Sequence, residues 1–158
     1  MARILIYAAA LTLAAGLKAP AVYGNHTTAA SRFPYIVSSV QFPPTKARIF
    51  RHTFRLQIPE GNSAISQLNI NVPSGLTVRD NISISDQSGR NINANVSVNG
   101  SQVIVVFPQP VVPGTRLKIE MNNVRRTGVS NAWLYPVSAR FVGINADIPI
   151  GVAEFHVY

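Results

Sequence analysis

The chain has 158 residues, of which 47% are hydrophobic and only 13% charged, so it is long enough to bury one core and too apolar for a disordered tail. It contains no cysteine, which excludes a disulfide scaffold, thiolate metal sites and a cysteine nucleophile. The formal charge is +8, an excess of cations that the surface must carry.

Met1-Ala2-Arg3 leads into an apolar stretch from Ile4 to Leu17, followed by Lys18-Ala19-Pro20-Ala21 and Val22-Tyr23-Gly24. A basic residue, an apolar run of about 7 to 15 residues and small residues before a cut are the grammar of an export signal. Residues 1–24 are therefore expected to be a signal peptide, cleaved after Ala21 or Gly24, and loss of Arg3 and Lys18 takes the charge from +8 to about +6. Lys18 interrupts a run shorter than the roughly 20 apolar residues of a membrane span. The mature chain is expected to lack such a span and to reside in a periplasm or at a cell surface. An exported domain without cysteine fits a bacterial envelope.

Residues 25–46 read as a polar leader, broken at Phe33-Pro34 and Phe42-Pro43-Pro44, whose Ile36, Val37, Val40 and Phe42 can cover an edge or one end of a core. The domain proper is expected over 47–158. Along IFRHTFRLQI, Phe50, His52, Phe54, Leu56 and Ile58 alternate with Arg51, Thr53, Arg55 and Gln57, the period of two of a half-buried strand. His52 is placed at the wet end of that apolar face. Leu68, Ile70 and Val72 mark a second strand, Ile82 and Ile84 a short third, and Asn91 to Val98 a fourth. Asn99-Gly100 predicts a tight hairpin to Gln102–Phe107, because both residue types accept positive φ. QVIVVF is apolar on both faces and is expected at the centre of its sheet, covered on both sides, with Pro108 and Pro110 ending its pairing. Leu117, Ile119 and Met121, then Val137, Ala139 and Phe141, continue the alternation, with Pro136 expected at an edge or bulge, and the last strand runs from Val152 to Val157. Seven or eight short strands without an amphipathic helix predict an all-β fold, an antiparallel β-sandwich, with a small barrel as the alternative.

The six carboxylates, Glu60, Asp80, Asp86, Glu120, Asp147 and Glu154, are dispersed, whereas glycosidase-type acid–base work needs two held together. No metal-ligand, nucleophile-elbow or phosphate-loop spacing occurs. Glu154 and His156 share a strand face as a surface pair, and Asp86-Gln87-Ser88-Gly89 reads as a turn. No catalysis, cofactor or metal is expected. Eleven of the fourteen cations are arginine, whose planar fork matches phosphate, sulfate and carboxylate. Arg48, Arg51 and Arg55 form one group and Arg125 with Arg126 another; Arg51 and Arg55 lie on the outer face of one strand. Trp133 and Tyr135 are a candidate ligand platform. The outward asparagines, Asn69/Asn71 and Asn91/Asn93/Asn95, make a polar face with hardly any charge. Two readings compete: an exported structural or interaction module acting through sheet surfaces on an envelope protein, and a binder of an anionic glycan, a lipid headgroup or an acidic protein through the arginines. Nucleic acid fits poorly, since aromatic-interleaved basic motifs are missing.

The second half, VIVVFPQPVVPGTRLKIEMNNVRR, then WLYPVSARF, then EFHVY, resembles an exported cyanobacterial family known as domain of unknown function 2808. The resemblance runs from about Phe54 to Tyr158. It is carried by Pro110-Val111-Val112-Pro113-Gly114-Thr115, Val124-Arg125, Leu134-Tyr135 and Phe155-His156-Val157-Tyr158. Arg126-Thr127 and Val157 depart from the family pattern. The resemblance implies an envelope or thylakoid-lumen location and brings no activity.

Overall fold

The computed structural model describes residues 32–158; the signal peptide expected at 1–24 and the first part of the leader lie outside them. Ten strands follow one another: β1 Tyr35–Phe42, β2 Ile49–Gln57, β3 Ile65–Asn71, β4 Leu76–Thr77, β5 Ile82–Ser85, β6 Asn95–Asn99, β7 Gln102–Val111, β8 Arg116–Arg126, β9 Ala132–Phe141 and β10 Ile148–His156. They form two antiparallel sheets. Sheet A runs β1-β2-β8, with β4 and β5 sharing the far edge of β8; sheet B runs β10-β9-β3-β7-β6. The molecule is a β-sandwich, as the alternation predicts. Its core is made by the inward residues of both sheets, among them Phe54, Leu56, Ile119, Leu68, Val105, Tyr135 and Phe155.

Several local expectations give way to pairing. The leader is not separate from the domain: β1 is an edge strand of sheet A, with Gln41 opposite His52 and Ser39 opposite Phe54. Only Asn95–Asn99 of the expected fourth strand pairs as a strand, because Asn91 to Ala94 carry the chain from sheet A to sheet B, with Asn91 bridging Ser85 and the Ile92 amide donating to the Ile84 carbonyl. In the hairpin Asn99 pairs with Gln102, so the two-residue loop is Gly100-Ser101. Only Gly100 has positive φ, 58°, which is the primed turn with glycine first.

β7 has neighbours on both sides but is not covered on both faces, since Val106 is exposed and Ile104 half-buried. Nor do Pro108 and Pro110 end it: its pairing with β3 jumps from Gln67↔Val106 to Ile65↔Val111, and the prolines occupy this irregularity, where a missing N–H costs no ladder bond. Pro136 lies within β9, one residue past the point where β3 stops pairing at Val137. Facing that side it behaves as an edge residue.

Candidate functional site

The arginine-bearing strands β2 and β8 are adjacent, and their register sets which side chains share a surface. Thr53 faces Glu120, Arg55 faces Lys118, Gln57 faces Arg116 and Ile49 faces Arg125. Because alternate residues point to opposite faces, Arg51, Arg55, Arg116, Lys118 and Arg125 all project from the outer face of sheet A. Glu120 is the one carboxylate among them on these two strands, and it is held by Lys118 at 3.2 Å. Arg51 lies over the ring of Phe42 on the neighbouring strand, 5.5 Å from its centroid. Arg55 reaches Ser38 at 3.4 Å, and Arg116 donates to the Gln57 side-chain oxygen at 3.0 Å.

A bulge shapes the end of this face. Between Phe50↔Val124 and His52↔Met121, β8 contains one residue more than β2, and Asn123 takes up a φ of 54°. Beyond the bulge, Arg48, Ile49, Arg125, Arg126 and Thr127 line an open cleft of about 340 Å³. Here three of the five sequence-predicted arginines meet, while Arg51 and Arg55 continue along the strand. The Arg126 amide donates to the Arg48 carbonyl, and its guanidinium to the Lys46 carbonyl. Among the described residues neither the Arg48 nor the Arg125 guanidinium has a partner. The far wall is secured by a glycine contact: the amides of Thr127 and Gly128 both donate to the Gly75 carbonyl, and a Cβ on Gly128 would stand 2.9 Å from the Gly75 Cα.

Trp133 and Tyr135 do not form a surface platform. They are 2% and 0% exposed, on the inward face of β9; the intervening Leu134 is the residue turned outward. His52 is likewise not at a wet end: it is fully buried. Its Nδ1 lies 2.8 Å from the Tyr135 hydroxyl and its Nε2 3.0 Å from Gln41 Oε1, and its ring stacks on Phe155 at 4.0 Å. The Gln41 amide nitrogen donates to the carbonyls of Pro43 and Thr45, so its oxygen is the atom left for histidine. His52 Nε2 therefore carries the proton and Nδ1 accepts from tyrosine. Burial pulls the His52 pKa down to about 3 and pushes the Tyr135 phenol up. These buried groups tie β1, β2 and β9 together and have no access to a ligand. Sequence reading missed them because Gln41 sits in the leader and the relay closes only across the two sheets.

Three further acids are engaged by other groups. Asp86 accepts from Ser88 and Arg90 within its own turn, with its pKa held down to about 2, first by the Ser88 hydroxyl. Asp147 pairs with Arg140 at 2.9 Å, and Glu154 with His156 at 3.4 Å on the exposed face of β10. Apart from the Arg140–Asp147 and Glu154–His156 pairs, the outer face of sheet B is uncharged: Asn71, Asn95, Ser97 and Gln102 lie among the exposed Val106, Leu134 and Val152. Asn69, at 7% exposure, is buried there and accepts from Gln67 at 2.7 Å. Among the described residues no helix is long and apolar enough to cross a membrane.

A family model described as protein of unknown function (DUF2808) matches residues 27–151. The match begins within the leader, and so takes in β1, and ends before Phe155–Tyr158. No curated protein matches the chain. Among solved structures, the chain is similar to BslA, described as a bacterial hydrophobin, at 13% identity and a TM-score of 0.54, covering 80% of this chain and 94% of that one. BcpA, the major pilin subunit of Bacillus cereus, gives 9% identity, a TM-score of 0.53 and coverage of 78% and 40%. The N-terminal domain of the Streptococcus gordonii adhesin Sgo0707 gives 10% identity, a TM-score of 0.51 and coverage of 80% and 32%. The chain thus spans less than half of the pilin and adhesin chains. At these identities the likeness is one of fold.

Proposed function

The chain belongs to the family described as protein of unknown function (DUF2808), and from that premise we propose that it is a non-catalytic exported interaction module whose contact surface is the cationic outer face of sheet A. The observation that carries this reading is the register of β2 with β8: it gathers five cations on one face with Glu120 as the one carboxylate on those two strands, while Asp86, Asp147 and Glu154 are each engaged by a basic group elsewhere. Uncompensated guanidinium groups gathered on one sheet face attract an anionic partner and pair with its oxyanions. Support of a coarser kind comes from the fold, which the chain has in common with an adhesin domain and a pilin subunit.

Replacing Arg51 and Arg55 together with alanine tests the reading on immobilised dextran sulfate. Affinity should fall severalfold and its salt dependence flatten, because the contribution of exposed charges is screened. Thermal stability should stay within about 1 kcal/mol of the parent, since exposed charged groups contribute little to folding. Unchanged binding at low salt would remove the cationic face from the reading and leave the neutral face of sheet B as the contact.

A further inference from the structure

Arginines account for attraction to an anion but not for the apolar side chains that surround them. On the same outer face Val40, Phe42 and Ile49 are 52%, 61% and 49% exposed. Register places Phe42 beside Arg51, Val40 beside Thr53 and Ile49 beside Arg125. Two residues after Thr127, which lines the arginine cleft, Val129 is 99% exposed in the loop between β8 and β9. Apolar side chains thus stand beside the cleft where Arg48, Arg125 and Arg126 meet and beside Arg51 on the adjoining strand. On the opposite face Val106, Leu134 and Val152 are also exposed, but the cation of that sheet, Arg140, is paired with Asp147.

From this juxtaposition, and resting on the reading of sheet A as the anion-facing surface, we infer that the occupant is an anionic lipid surface: the arginines meet phosphate headgroups while Phe42, Ile49 and Val129 enter the interface between headgroups and acyl chains. A hydrated acidic polysaccharide satisfies the arginines but gives Val129 and Ile49 nothing to bury against. An anionic bilayer satisfies both, because cations near its surface and apolar groups at its boundary each favour attachment. Register puts Val40, Phe42 and Ile49 on the same face as Arg51 and Arg125. Attachment is peripheral.

The absence of cysteine allows a single probe to be placed at will. Val129→Cys, labelled with an environment-sensitive fluorophore in the full chain, should shift to the blue and be quenched by nitroxide lipids on phosphatidylcholine vesicles containing phosphatidylglycerol. Ser97→Cys, on the outer face of sheet B, should show neither change. Val129→Ser should lower affinity for these vesicles severalfold and leave dextran sulfate binding unchanged, while Arg48→Ala with Arg125→Ala should weaken both. A silent probe at position 129, with dextran sulfate binding still dependent on the arginines, would overturn the lipid assignment and leave the cationic face standing. Loss of arginine dependence on both probes would overturn the two together.

Discussion

His52 shows how a single residue changes its meaning when a second sheet closes over it. In the unfolded chain its imidazole titrates at the ordinary value of 6.5; in the folded protein burial takes it to about 3. Between these values the unfolded state binds more protons than the folded one, so stability rises with pH across that window and is level above it with respect to this group. The slope should approach about 1.4 kcal/mol per pH unit within the window. Urea denaturation at a series of pH values measures it, and His52→Leu should lower stability at neutral pH and flatten the slope. Lower stability is expected because that substitution leaves the Tyr135 hydroxyl and Gln41 Oε1 buried without a partner, at about 1–3 kcal/mol each. A parent and variant with parallel pH curves would show that the imidazole has the same pKa folded and unfolded. The Gly75–Gly128 contact is a second residue-scale constraint. It holds Thr127 at the arginine cleft by two backbone hydrogen bonds to one carbonyl, and only residues without Cβ permit that approach.

At the scale of elements, β1 does the most that the sequence does not announce. Its period of two is blurred by an irregularity between Ile36 and Ser38, and with serines on both faces it reads as polar leader. In the sandwich it contributes Gln41 to His52, Ile36 to the core next to Gly151 of β10, and Phe42 to the guanidinium of Arg51. A chain beginning at residue 47 should therefore lose cooperative unfolding in urea and bind hydrophobic dye, because it exposes β2 as a new edge and leaves His52 Nε2 without its acceptor. A sharp transition at the parent midpoint would show that the strand is an accessory. The β8 bulge is the counterpart on the other side of β2: one extra residue, with Asn123 at positive φ, lets Arg125 resume the outer face opposite Ile49.

The whole molecule is a sandwich with unlike faces. Sheet A presents cations and exposed apolar groups; sheet B presents amides, short hydroxyls and aliphatic side chains with hardly any charge. Such asymmetry orients a domain on an anionic surface and leaves the second face free for another contact. Export and processing are part of the proposal. Intact-mass measurement of protein recovered from the native host should find a chain beginning at Val22 or Asn25; a full-length chain retained in the cytoplasm would contradict export. Alternation of apolar and polar residues is a property of one strand and can be read without knowing its neighbours, so the all-β class, the inward sets of β2, β8 and β9, and the outward direction of Arg51 and Arg55 were already determined by the sequence. Which strands lie side by side, and in what register, depends on contacts between residues far apart in the chain. Only the tertiary structure could decide that Arg48 joins Arg125 and Arg126 in one cleft, that Trp133 and Tyr135 face the core, that prolines 108 and 110 fall where the ladder skips, and that the leader supplies the partner of a buried histidine.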